Sequence, residues 1–303
     1  MTDQNNRFSS RLTFLLSALG IAVGTGNIWR FPRIVASNAG EDGAGAFLVA
    51  WITFLFLWSI PLIIVEYVMG RQSRMGTIGA FANFMGKPFA FLGGFVGFVS
   101  TAIAFFYSVI VGWNIYYFGV ITFTNLPQTN QASLMLWSSF QDSLFPILFH
   151  GVAMTVGGLA IYKGVSSIEK VNKVLIPVLL GIVILSVLRA ISLPGSFEGI
   201  SYLFTPDWSQ LKRPGIWVDA LAQNAFDTGA GFGLFLTYAI YIKKRYGVVK
   251  NAFTTAIGNN LVSMLAAIMI FSTVFSILGN EMGMQQSEIL EIMKTSGPAA
   301  TGL

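Results

Sequence analysis

The sequence predicts an all-α integral membrane protein with seven transmembrane helices, the first and sixth of them broken. Three observations carry that fold class. Of 303 residues, 54% are hydrophobic and only 10% charged. Charge-free apolar stretches recur at the ~20 residues a helix needs to cross a bilayer. Lysine and arginine alternate between the two sides those stretches define.

The stretches run 12–29, 46–65, 88–141, 143–162, 174–188 and 251–280, and 220–242 joins them but for Asp227. The stretch at 88–141 is far too long for one crossing, so its first two thirds form the third span. A short amphipathic piece at 285–294 follows the seventh span, with Ile289, Leu290, Ile292 and Met293 on one helical face. The first apolar run starts late and lacks a small-residue cleavage site after it, which marks a spanning helix and not a signal peptide. Arg7, Arg11, Arg71, Arg74, Lys87, Lys163, Lys170, Lys173, Lys243, Lys244, Arg245 and Lys250 fall on one side. Arg30, Arg33, Arg189, Lys212, Arg213 and Lys294 fall on the other, beside Glu41, Asp42, Asp142, Glu281, Glu288 and Glu291. The positive-inside rule therefore puts the amino terminus in the cytoplasm of a multi-pass protein of the inner or plasma membrane. Basic charge here serves topology and contact with the lipid bilayer, and no basic run with interleaved aromatics points to nucleic acid.

Two spans are interrupted. The run at 20–32 places Gly20, Gly24, Gly26 and Asn27 inside apolar sequence, and the run at 223–233 does the same with Gln223, Asn224, Asp227, Gly229, Gly231 and Gly233. Lipid cannot satisfy free backbone N–H and C=O groups, so a break at membrane depth must line a cavity or pack into protein. Taken alone, Gly20 and Gly24 also fit close helix packing of the small-xxx-small kind. The second break favours a site. The second break lies five spans after the first, an odd offset, so it enters the membrane in the opposite direction, the pattern of an inverted repeat, of which LeuT-type transporters are the standing example. The repeats would cover 12–192 and 214–303. A five-span repeat needs ten helices, so residues 1–303 read as one membrane domain lacking three spans and continued in a longer chain.

With these breaks stand Gly43-Ala44-Gly45-Ala46-Phe47, Ile60-Pro61-Leu62, Glu66, Met69-Gly70-Arg71, Gly231-Phe232-Gly233 and Thr237-Tyr238. By these motifs the chain resembles the first two thirds of a neurotransmitter:sodium symporter, the LeuT-like sodium-dependent amino-acid transporters. The resemblance implies sodium-coupled symport of a small amino-acid substrate by alternating access, with no organic cofactor. One Na⁺ site would comprise Ala22, Asn27, Asn259 and Asp227 with the substrate carboxylate. A second would use Gly20 and Val23, its remaining ligands lying on an eighth span. Substrate would contact Ala22, Gly24, Gly26, Ile103, Tyr107, Phe226, Thr228, Gly229 and Phe232, with Ala230 at the side-chain pocket. Amine-carrying members place aspartate at Gly24, so glycine implies a zwitterionic substrate held by its carboxylate at Tyr107. Arg30 and Phe226 would gate the outer side, and Phe8 and Tyr241 the inner, where Asn5 replaces an expected basic residue.

Two further departures from the family pattern fall around the anion region. Trp51 replaces a tyrosine in the region where Gln223, Asn259 and Ser263 match chloride-dependent relatives, and Asp227 replaces serine or threonine. An intramembrane carboxylate is costly unless it has a task. Asp227 is therefore expected either to supply the negative charge that chloride supplies elsewhere, so that chloride is not required, or to carry a proton. Other classes fit less well. An enzyme needs a nucleophile with a base, or a metal set, yet there is no cysteine, and His150, the single histidine, reads as interfacial packing. A channel needs a continuous polar path. The remaining alternative is a truncated, non-transporting fragment, or a binding or regulatory protein that takes its missing spans from a partner.

Overall fold

Each broken span begins as an ordinary helix and stops where its sequence turns to glycine. The computed structural model describes residues 7–24, 26–125, 127, 129–243 and 245–295, so Asn5, Thr25 and Lys244 lie outside the described residues. Helix α1, Arg11–Ala22, opens on a capping box between Ser10 and Thr13 and ends as Val23 becomes extended. The chain resumes in a π-helical turn, Gly26–Arg30, which leads into α2, Phe31–Ser37, with proline in its first turn. The two pieces meet at 57°.

Helices α3, Gly45–Phe54, and α4, Ile60–Ser73, form one span joined by a π-helical turn at Leu55–Ser59. There follow α5, Thr77–Met85; the long α6, Ala90–Phe123; α7, Asn130–Gln141; and α8, Phe145–Ile161. Next come α9, Val165–Ile191, and α10, Ser196–Phe204. The second broken element is α11, Pro214–Thr228, and α12, Leu234–Ala239. Between them Gly229, Gly231 and Gly233 take φ of 65°, 96° and 72°, which a side chain would strain. Finally α13, Val248–Val274, continues as a π-helix through Phe275–Glu281 to α14, Gln286–Thr295.

Among the described residues, four helices are long and apolar enough to span a membrane, or six if each bent pair counts once. The sequence pattern predicts seven. The difference is α11 and α12, each too short to cross alone and parted by the glycine-rich break.

Two apolar clusters bracket a polar layer. One gathers Phe14, Ala22, Tyr67, Ala230, Phe235, Ala252 and Ala256; the other gathers Phe31, Trp51, Ile216, Ala220, Ala267 and Phe271. Asn27, Asp227, Asn259 and Ser263 fall between the clusters along their own elements. The α1–α2 element runs from the first cluster to the second, whereas α11–α12 runs from the second to the first. The two broken elements are thus antiparallel.

Candidate functional site

The first break frees carbonyls because its amides go elsewhere. The amide of Gly24 would continue α1 by bonding Gly20 O; instead it donates to Asn27 Oδ1 at 2.8 Å. The amide of Asn27 donates to Gly24 O at 3.1 Å, which leaves Val23 O without its helical partner. Among the described residues Gly20 O and Val23 O thus lack the amide partner a continuous helix would give them, and a carbonyl is the type of hard oxygen that suits a small hard cation. A Cβ on Gly20 would stand 3.1 Å from Asn172 Oδ1, so this glycine also permits close packing on α9, whereas one on Gly24 would meet nothing within 4 Å. Ala22 is buried at the last turn of α1.

The polar layer forms one chain of donors. Asn27 Nδ2 donates to Asn259 Oδ1 and to Ser263 Oγ, both at 2.8 Å. Ser263 Oγ donates in turn to Asp227 Oδ2 at 2.6 Å. Asn27, Asn259 and Ser263 are fully buried and Asp227 is 2% exposed, yet its Oδ1 has no partner among the described residues. An orphan oxygen at that depth costs free energy unless a cation or donor meets it. The structure thus brings Asn27, Asp227, Asn259 and Ser263 together, a cluster of the hard oxygen type that Na⁺ takes. Near them, Gln223 Nε2 and Trp51 Nε1 are buried donors, likewise unpartnered; the Trp51 ring packs on Phe31 at 4.3 Å.

Phe226 sits at the rim. It is 39% exposed in this chain. Arg30 lies over its ring at 4.6 Å and donates to Gln223 Oε1 at 2.5 Å, and Tyr107 approaches the same ring at 6.5 Å. Gly26 presses against it, since a Cβ there would lie 3.2 Å from Phe226 Cε1. Ile103 is half-buried one turn before Tyr107 on α6. Phe232 lies in the second break, its carbonyl accepting a bond from Ser100 Oγ. Thr228 is engaged locally, donating to Asn224 O at 2.7 Å and meeting Ser59 Oγ at 3.2 Å.

The second break is held from outside. Glu66 accepts from the amides of Gly231 at 2.6 Å and Leu236 at 3.0 Å, replacing bonds a continuous helix would make. Ser59, which sequence reasoning missed, donates to Asn224 Oδ1 at 3.3 Å, and Asn224 Nδ2 donates to Trp51 O at 2.7 Å. The π-helical turn that carries Ser59 precedes Pro61, whose missing amide is the sequence signal that could have marked it.

The amino-terminal end is closed. Phe8 is buried against Phe14 and stacks on Tyr238 at 5.9 Å, while its amide donates to Tyr241 O at 3.2 Å. Phe8 and Tyr241, the two residues assigned to the inner gate, meet through their backbones, and the ring partner of Phe8 is Tyr238. A second fastening was not foreseen: Glu169 Oε1 accepts from Ser9 N at 2.6 Å and Thr13 Oγ1 at 2.5 Å.

A model described as the sodium:neurotransmitter symporter family matches residues 5–141 and 139–301. An uncharacterised sodium-dependent transporter of Methanocaldococcus jannaschii is 32% identical over 280 residues, which is 89% of this chain and 56% of that protein. The sodium-dependent transporter YhdH of Bacillus subtilis is 31% identical over 297 residues, 97% of this chain and 64% of its own length. The sodium-dependent neutral amino acid transporter B(0)AT3 of Rattus norvegicus is 30% identical over 314 residues, 91% of this chain and 48% of its own. The crystal structure of MhsT in complex with L-phenylalanine superposes with a TM-score of 0.76 at 30% identity, covering 95% of this chain and 69% of MhsT. The chain therefore spans between about half and two thirds of these relatives' lengths.

Proposed function

The chain belongs to the sodium:neurotransmitter symporter family, and on that premise we propose that it builds the central site of a sodium-coupled symporter for a zwitterionic amino acid. The observation that carries this reading is the meeting of two antiparallel breaks at Asn27, Asn259, Ser263 and Asp227. The substrate would lie between the breaks, its carboxylate near Gly24 and Tyr107 and its side chain under Phe226. The first Na⁺ would take Ala22 O and the oxygens of Asn27, Asn259 and Asp227, with the substrate carboxylate. The second would use Gly20 O and Val23 O. Alternating access would move the Phe8 closure and the Arg30–Phe226 rim in turn, with the amino terminus in the cytoplasm.

On this reading Asp227 is ionised and its charge is fixed in the region that also holds Trp51 Nε1 and Gln223 Nε2, two buried donors without a partner among the described residues. On this reading the charge replaces chloride, and transport proceeds without that anion. The test is ²²Na⁺ uptake into proteoliposomes holding the purified chain, stimulated in turn by zwitterionic amino acids that include L-phenylalanine. Uptake that depends on one amino acid and falls about tenfold with Asn27→Ala would support the reading. Amino-acid-independent uptake, or none, would overturn the reading that this chain couples Na⁺ to an amino acid.

A further inference from the structure

The single histidine of the chain, His150, stands half-buried in the second turn of α8 and bonds across to α6. Its Nε2 lies 2.9 Å from Ser108 Oγ. The Ser108 hydroxyl has one hydrogen and donates it to Phe105 O at 2.7 Å, so towards His150 it accepts. His150 therefore carries a proton on Nε2 and is the donor. Among the described residues this is the only side-chain hydrogen bond between α8 and α6. We propose that His150 is a positioning residue, which through Ser108 sets the rotation of α6 about its own axis and with it the aim of Tyr107. The inference rests on the reading of Tyr107 as the donor to the substrate carboxylate.

Helix α6 is gripped along two of its faces. Ser100, Ile103 and Tyr107, at spacings of three and four residues, share one face. Ser100 Oγ donates to Phe232 O and the Tyr107 ring approaches Phe226 at 6.5 Å, so this face looks toward the second break and its rim. Ser108 and Gly112, four residues apart, share the neighbouring face, about 100° round the helix from Tyr107. There a Cβ on Gly112 would stand 2.8 Å from His150 N and 2.9 Å from Phe149 C, so α6 and α8 meet backbone to backbone at this level.

The two contacts do different things. Gly112 sets how closely the helices approach but, having no side chain, does little to fix rotation. The Ser108–His150 bond is directional and does fix it. Tyr107 is the residue next to Ser108, so a rotation of α6 that broke the bond would swing the phenol relative to Phe226. Packing alone would ask only for bulk at position 150, which leucine supplies without placing a polar ring among apolar neighbours. The imidazole is the choice that adds a donor aimed at α6.

The test is a double-mutant cycle on the purified chain in lipid nanodiscs, read by calorimetric binding of L-phenylalanine in sodium buffer. His150→Leu should weaken binding about fivefold. His150→Gln, whose amide places an N–H near the position of Nε2, should restore it to within about twofold. In a Tyr107→Phe background His150→Leu should cost nothing further, because the hydroxyl it aims is gone. A purely structural role would give the same loss in both backgrounds, and that result would overturn the proposal. If Tyr107→Phe alone binds as wild type does, the reading of Tyr107 fails and the proposal falls with it. A second measurement needs no bound amino acid. With 3-fluorotyrosine in place of Tyr107, the single ¹⁹F resonance should shift with His150→Leu and return with His150→Gln, and a resonance indifferent to His150→Leu would also overturn the proposal.

Discussion

Ser263 Oγ stands 2.6 Å from Asp227 Oδ2 and donates to it, while Asp227 Oδ1, in a residue 2% exposed, has no partner among the described residues. Ionised, a carboxylate half satisfied at membrane depth would hold a local negative charge whose field is little screened. If that charge does the work of chloride, sodium-dependent uptake should be unchanged when gluconate replaces chloride. Asp227→Ser should then make uptake chloride-dependent by about fivefold or more. Loss of wild-type uptake in gluconate would instead leave Asp227 as a proton carrier, with uptake that follows pH.

Glu66 should govern the stability of the second break. Its two oxygens accept the amides of Gly231 and Leu236, and the residue is 6% exposed. Glu66→Ala would strand two buried donors, at about 1–3 kcal/mol each. We expect a lower unfolding midpoint by roughly 3 kcal/mol equivalent, followed by tryptophan fluorescence on heating. Glu66→Gln, which keeps one carbonyl acceptor, should lose less than half of that.

The two breaks were legible because glycine and asparagine are so out of place in apolar spans that pattern alone exposes them. Asp227 was legible for the same reason. Ser59 and Glu169 were not. A hydroxyl in a span often bonds its own helix, as Thr53 does to Val49 O, so sequence does not mark the one that reaches another element. Glu169 lies beside lysines at the mouth of a span and reads as an exposed charge, yet Ser9 and Thr13 come 160 and 156 residues away to bury it. The expected seven spans meet a similar limit, since α11 and α12 are each short and their break is held from α4 by Glu66, which accepts from Gly231 N and Leu236 N.

Glu169 should act as a latch on the amino-terminal closure. It holds Ser9 N and Thr13 Oγ1, while Lys243 Nζ donates to Ser9 O at 2.7 Å and Arg11 Nε to Asn251 Oδ1 at 2.7 Å. Because the chain has no cysteine, a single Ser17→Cys reporter on buried α1 can follow opening by its labelling rate. Glu169→Ala should raise that rate about tenfold, as loss of a charge-assisted bond worth ~1.5 kcal/mol implies. An unchanged rate would mean that Phe8 and Tyr238 hold the closure unaided.

Gly24 and Gly26 offer a contrast that separates fold from binding. A Cβ on Gly24 would enter open space, so Gly24→Ala should leave the unfolding midpoint within about 1–2 °C of wild type. If that space receives a substrate carboxylate, the same change should weaken amino-acid binding about tenfold. Gly26→Ala would put a methyl 3.2 Å from Phe226 Cε1 and 3.5 Å from Asp227 Oδ1. The exposed ring can yield, so stability should fall little while preference shifts toward smaller side chains. Gly70→Ala is the control for a packing glycine, since its Cβ would lie 2.0 Å from Leu236 O. That contact is with backbone, which cannot swing aside, and the midpoint should drop markedly. If Gly24→Ala instead destabilises the fold and spares binding, Gly24 is a packing position and the carboxylate lies elsewhere.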